Sequence, residues 1–153
     1  MVVNIRDEEL YEKHAEELIR FATTLVGPSY SEDVVANVLL RSMAARAWPT
    51  VTEPRAYLFR AVLNEARSLE RSDRRRTRRE QSVALVEFAD ADSISLEVRD
   101  AMSRLSLRER SVLYLAYWHE LSISDIARTL RLSHRSTERA LTTARRTLEE
   151  NLS

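Results

Sequence analysis

The chain has no cysteine. Disulfides and thiolate metal sites are therefore excluded, and the absence suits a reducing compartment, so the expected location is the cytoplasm. Among 153 residues there are one glycine, Gly27, and three prolines. That is too little turn chemistry for a sheet protein, and it rules out a glycine-rich phosphate loop. Lys13 is the single lysine, so the positive charge is almost all arginine. The three histidines, at 14, 119 and 134, lack metal-ligand spacing. No metal and no cofactor are expected. No apolar run approaches the length of a membrane span, and the first residues show no secretory pattern, so no membrane insertion is expected.

What is present favours helices. Apolar residues make up 44% of the chain, enough for a core, and charged residues 31%. Alanine, leucine, arginine and glutamate dominate, which points to an all-α protein. The formal net charge is zero, but the charge is segregated. Residues 1–52 carry five basic and eight acidic groups, and 53–79 carry nine and four. Residues 80–100 carry one and six, and 101–153 carry nine and six. Two basic blocks separated by an acidic one suggest two nucleic-acid contacts and a linker that avoids DNA.

Apolar spacing places the elements. A first helix spans 7–26 with Leu10, Ala15, Leu18, Ile19, Ala22 and Leu25 inward, and Gly27-Pro28 stops it. A second spans 31–47, with Ser31 as its cap and Val34, Val35, Val38, Leu39, Met43 and Ala44 buried; Trp48-Pro49 ends it. Pro54 opens a third helix running to about residue 77, with Tyr57, Leu58, Ala61, Val62, Glu65 or Ala66, and Leu69 on its inward face. Residues 80–95 lack periodicity and read as a flexible acidic linker. A second helical module begins near residue 96. The expected architecture is two small helical domains, 1–79 and 96–153, joined by 80–95.

The sharpest signal lies in residues 105–148. Leu121, Ile123, Ile126, Ala127 and Leu130 share a stripe, and Ser122 and Asp125 have capping-box spacing. Leu132 can plug the turn and Ser133 can cap the next helix. There Thr137, Leu141, Ala144 and Leu148 face inward. The outer face carries His134, Arg135, Ser136, Glu138, Arg139, Thr142, Thr143, Arg145 and Arg146. A short helix, a tight turn and a basic, hydroxyl-rich second helix make a helix-turn-helix suited to a major groove. The plain alternative is a helical hairpin with a solvated charged face.

The third helix is the second signal. Arg55, Arg60, Arg67 and Arg71 accompany Tyr57 and Phe59, and a denser run, Arg74-Arg75-Arg76 with Arg78-Arg79, follows. Arginines can track phosphates, and aromatics can stack on unpaired bases. Each aromatic at helical spacing also fits an ordinary core.

Taken in order, these parts resemble a bacterial extracytoplasmic-function sigma factor, the type with only regions 2 and 4. Ser31-Glu32-Asp33-Val34-Val35 and Leu39-Leu40-Arg41-Ser42-Met43 are similar to that family's A-E-D-L-V and F-L-R-A-W runs. Glu53-Pro54-Arg55-Ala56-Tyr57-Leu58-Phe59-Arg60 is similar to N-P-R-A-W-L-Y-R, with Asn64 on the usual Asn. Leu105 to Arg110 resembles the opening of region 4, and Leu121 to Leu130 with Ala144-Arg145-Arg146 its helix-turn-helix and tail. The chain departs from the pattern in three places. Ala36-Asn37 replace Gln-Glu, Arg131 replaces the turn glycine, and His134-Arg135-Ser136-Thr137-Glu138-Arg139 replaces a G-T-V-K-S-R type start.

The resemblance implies a non-enzymatic alternative sigma factor. Its partners would be core RNA polymerase, promoter DNA and an anti-sigma factor, with no small-molecule substrate. Glu32, Asp33, Val35, Leu39 and Leu40 would meet the polymerase clamp. Arg55, Tyr57, Arg60, Asn64, Arg67 and Arg71 would hold the minus-10 strand. Ser133, His134, Arg135, Ser136, Glu138, Arg139, Thr142 and Thr143 would read the minus-35 element. Leu113, Leu115 and Trp118 would meet the polymerase flap. Two other classes remain open on the residues alone: a helix-turn-helix regulator acting at an operator, and a sigma-like decoy.

Overall fold

The computed structural model describes residues 5–72 and 96–152. Seven α-helices account for nearly all of them: α1 Ile5–Val26, α2 Pro28–Ala44, α3 Pro54–Ser72, α4 Leu96–Ser103, α5 Leu107–Trp118, α6 Ile123–Leu130 and α7 His134–Leu152. The expected 80–95 linker and Arg74 to Arg79 lie outside the described residues.

Gly27 alone separates α1 from α2. Its φ of 85° lies in the left-handed region, where a Cβ would be crowded, and its N–H returns to the Thr23 carbonyl at 2.8 Å. Pro28 then occupies the first turn of α2, where its missing N–H costs nothing. The expected start at Ser31 is therefore three residues late. Ser31 is buried inside the helix and its hydroxyl donates to the Pro28 carbonyl at 3.3 Å. The helix also ends early, at Ala44, and a 3₁₀ turn follows at Trp48–Thr50. Long-range packing sets that end. Trp48 is pulled into the core, where its indole N–H donates to the buried Asp7 carboxylate at 2.8 Å and its ring meets Tyr57 edge-on. Ala44 is exposed as a result, against expectation.

The core begins with Leu18, Phe21, Ala22 and Leu25 of α1, all fully buried. Against them pack Val34, Val35, Val38 and Leu39 of α2, and Leu58, Phe59, Val62, Leu63 and Ala66 of α3. The buried arc of α3 is wider than the one expected from periodicity, because Phe59 and Leu63 join it. Helix α3 packs on α1 and α2 on one side and on α5 and α6 on the other. Burying each valine, leucine or phenylalanine side chain among these contributes about 1.5–3 kcal/mol.

Helix α5 is buried on nearly all sides, with Leu107 and every residue from Arg110 to Leu115 inaccessible, polar Arg110 and Ser111 included. A helix of that kind must be central. It touches α1, α3, α6 and α7, so the two halves share one continuous core. Ser106 starts α5 with a reciprocal capping box. Its hydroxyl accepts from the Glu109 N–H at 3.1 Å and the Glu109 carboxylate accepts from the Ser106 N–H at 2.9 Å.

Candidate nucleic-acid interface

Helices α6 and α7 form the helix-turn-helix. Ser122 caps α6, accepting from the Asp125 N–H at 3.1 Å, while the Asp125 carboxylate turns to Arg128. Arg131 closes α6 in the left-handed conformation, φ 53° and ψ 48°, without glycine. The Leu132 N–H reaches the Ala127 carbonyl at 2.9 Å and satisfies the end of α6. Ser133 caps α7, accepting from the Ser136 N–H at 3.0 Å. Thr137 is fully buried and its hydroxyl donates to the Ser133 carbonyl at 2.9 Å, fixing the entry angle.

That framework sets the outer face of α7. Arg135 and Arg139 are exposed and, among the described residues, enter no ion pair or hydrogen bond. With Glu138, Thr142, Thr143 and Arg146 they line a shallow groove. Glu138 is engaged by His134, with Nδ1 to Oε1 at 2.8 Å. Arg145 is committed to α5: its Nε donates to the Tyr117 hydroxyl at 2.9 Å and its guanidinium stacks on that ring. Of the eight residues expected at the minus-35 element, Arg135, Glu138, Arg139, Thr142 and Thr143 line this groove, Ser133 and His134 are exposed at the start of α7, and Ser136 is half-buried. Among the described residues the Arg135 and Arg139 guanidinium groups have no partner. Of the residues expected at the flap, Trp118 is exposed, whereas Leu113 and Leu115 belong to the core.

The α3 residues divide differently. Arg55 is held by a forked pair to Glu17, at 2.9 and 3.2 Å, and also donates to His119 Nδ1 at 2.8 Å. Arg60 donates to the Thr129 carbonyl of α6 at 3.1 Å, and its guanidinium lies over Tyr57. Burial and the nearby positive charge of Arg131 lower the Arg60 pKa. Tyr57 is half-buried beside Trp48. Phe59 is 1% exposed and packs edge-on against Phe21 at 4.9 Å, so it cannot serve as a base platform in this arrangement. Asn64 and Arg71 are exposed, with Arg67 half-buried on the same stretch. Burial, then Arg108 and Arg71, lower the Arg67 pKa.

On α2, Glu32, Asp33 and Leu40 are exposed, as are Ala36 and Asn37. Val35 and Leu39 are 2% and 5% exposed and face this protein's own core. Their place in the hydrophobic stripe, beside Val34 and Val38, leaves them no free surface for a partner. Glu17, His119 and Thr129, which hold Arg55 and Arg60, were not legible as partners in the sequence. They lie 38 to 69 residues away along the chain. Among the described residues, no cluster of acidic and histidine side chains could hold a metal ion, and no helix is long and apolar enough to cross a membrane.

The family model for sigma-70 region 4 matches residues 95–148, which are α4 to α7 with the first turns of α7's outer face included. No curated protein sequence matches the chain. Among solved structures, the chain is similar to the sigma factor RpoE of Bartonella quintana, determined in complex with the anti-sigma factor NepR. The likeness covers 95% of both chains at a TM-score of 0.71 and 19% identity. At that identity it concerns the fold.

Proposed function

We propose, on the premise that this chain is a sigma factor of the extracytoplasmic-function type, that it binds core RNA polymerase and directs it to promoters through two DNA contacts. The observation that carries the reading is the coincidence of the region 4 match with a fully capped helix-turn-helix whose Arg135 and Arg139 are exposed and, among the described residues, unpaired. Arginine is the usual bidentate reader of guanine in a major groove. In this reading α7 recognises the minus-35 element, and Ser133, Ser136, Thr142 and Thr143 supply hydroxyls for neighbouring base edges or phosphates.

The stretch of α3 with exposed Asn64 and Arg71 and half-buried Arg67 would track the minus-10 strand. Arg55 and Arg60 would join it once they leave His119 and Thr129. Promoter engagement therefore involves parting α3 from α5 and α6. The clamp-facing surface of α2 would consist of Glu32, Asp33 and Leu40, with Val35 and Leu39 supporting it from beneath. An anti-sigma factor is a further partner consistent with the complex of the structural relative. The chain contributes binding and strand holding, and phosphoryl transfer would belong to the polymerase.

Run-off transcription with purified core polymerase tests the reading. A discrete transcript that depends on this protein and on its promoter is the expected result. DNA binding without polymerase association would make it an operator-binding regulator. Polymerase association without a transcript would make it a decoy.

A further inference from the structure

We propose that the cleft where α3, α5 and α7 meet binds a small phosphate polyanion, either free pyrophosphate or the polyphosphate tail of a nucleotide. The cleft holds about 490 Å³ and is open to solvent. Its walls include Arg67 and Glu70 of α3, Arg108 of α5, and Ser136, Arg139 and Thr143 of α7.

Three guanidinium groups from three helices line this one space. Arg108 and Arg139 have no ion pair or hydrogen bond among the described residues, and Arg67 has only a 3.5 Å contact to Asn64. Like charges are ordinarily paired or dispersed, since their repulsion is otherwise uncompensated. At Arg67 the charged form is disfavoured by burial, then by Arg108 within the cleft and Arg71 beside it, against the opposing pull of Glu70. The carboxylates in the walls do not cancel it. Glu70 and Glu109 supply two negative charges against the three positive ones, so the walls keep a net positive charge, and one oxygen of Glu109 is already engaged by the Ser106 N–H. The first turns of α5 and α7 also meet the cleft, and their partial positive charge adds to the field.

A polyphosphate suits this layout better than an acidic peptide. It places several anionic oxygens within a short span, so more than one of the guanidinium groups lining the cleft can bind the same anion. Peptide carboxylates sit on separate side chains and must be spaced to match. The bound anion would tie α3 to α5 and α7 and hold the two halves together. Because Arg67 and Arg139 are also the residues proposed for the minus-10 and minus-35 contacts, it would compete with promoter DNA at both. That consequence rests on the proposed function, whereas the site itself does not.

Calorimetric titration of the full chain with sodium pyrophosphate, and separately with ATP, tests the site at ionic strength held constant with sodium chloride. Neither polymerase nor promoter is needed, so failure here is distinct from failure in transcription. Saturable one-to-one binding is expected. Arg108→Ala, at an exposed position, should weaken it about tenfold or more. Arg128→Ala, which removes an arginine outside the cleft, should leave it unchanged. Tighter binding of ATP than of pyrophosphate would identify a nucleotide as the source, and equal binding would identify the free anion. Heats that sulfate reproduces at equal concentration, or binding unaffected by Arg108→Ala, would overturn the proposal.

Discussion

Arg110 of α5 donates from one guanidinium nitrogen to the Leu25 carbonyl of α1 at 3.2 Å and to the Thr24 carbonyl at 3.4 Å, while only 3% of the residue is exposed. The last carbonyls of a helix have no partner within it, and α1 has no basic residue in its final turn. Arg110 supplies the missing donor from 85 residues away. The arrangement is costly, because burial pushes its pKa down to about 10 and the Glu70 charge only partly offsets that. Its Nε has no hydrogen-bond partner.

Arg110→Ala is expected to destabilise the protein by roughly 2–4 kcal/mol, since it opens a cavity and strips two carbonyls of their donor. Arg110→Met should cost less, because it keeps the apolar stem and removes a charge that is expensive to bury. Urea unfolding of the three proteins measures both. Equal loss in the two variants would show that the bonds to α1, rather than the packing of the stem, dominate.

Acidification should loosen the junction between α1, α3 and α5. His119 accepts from Arg55 on Nδ1, so its neutral form is the one that fits. Burial, then Arg55, lower its pKa below the ordinary 6.5, against the opposing pull of Glu17. A depressed histidine pKa means that the unfolded chain takes up the proton first. The stabilisation is therefore complete above pH 6.5 and is lost as pH falls below it. Glu17, whose pKa the Arg55 and His14 contacts lower despite burial, adds a second loss below its ordinary 4.5. His119→Gln should flatten the first decline in thermal midpoint between pH 7 and 5. An unchanged profile would assign that decline to other groups.

Arg131→Gly should stabilise the protein by about 1 kcal/mol. A side chain in the left-handed conformation costs about 1–2 kcal/mol, partly offset by the greater freedom of glycine in the unfolded state. The change also removes the positive charge that acts on Arg60. Guanidinium unfolding provides the measurement, and a loss of stability would mean that Arg131 makes compensating contacts.

If α7 reads the minus-35 element as proposed, Arg139→Ala should relax base preference at one or two positions, at about 1–3 kcal/mol of discrimination. Competition binding against promoter and random duplexes tests it. An equal fall on both would make Arg139 a phosphate contact.

If α3 holds the minus-10 strand as proposed, Arg60→Ala and Asn64→Ala should impair strand opening, because unstacking costs a few kcal/mol that the contacts of this helix would recover. Permanganate footprinting of the melted region reads this directly. Normal melting by both variants would mean that α3 only positions the duplex.

The helix-turn-helix was legible in the sequence almost residue by residue. Ser122, Leu132 and Ser133 act locally, through caps and a turn plug whose partners lie within a few positions. The stripe of Ile126, Ala127 and Leu130 is likewise a property of helical periodicity alone. The same logic identified Gly27-Pro28 as a boundary, but it misplaced the start of α2. Ser31 looks like a cap only until the left-handed turn at Gly27 is known to admit a helix at once.

Sequence by itself thus determined the all-α class, the order of helices and which residues share the outer face of α7, because each depends on contacts near in the chain. Tertiary structure alone decided which of those residues are free to act. Val35, Leu39 and Phe59 carry the right side chains for a partner or a base, yet packing between α1, α2 and α3 turns them into core. Arg55 and Arg60 carry the right charge, yet Glu17, His119 and the Thr129 carbonyl occupy them. The meeting of Arg67, Arg108 and Arg139 in one cleft follows from how α3, α5 and α7 cross. Periodicity assigns a face to each helix in isolation, and only the packing of helices against one another settles what that face meets.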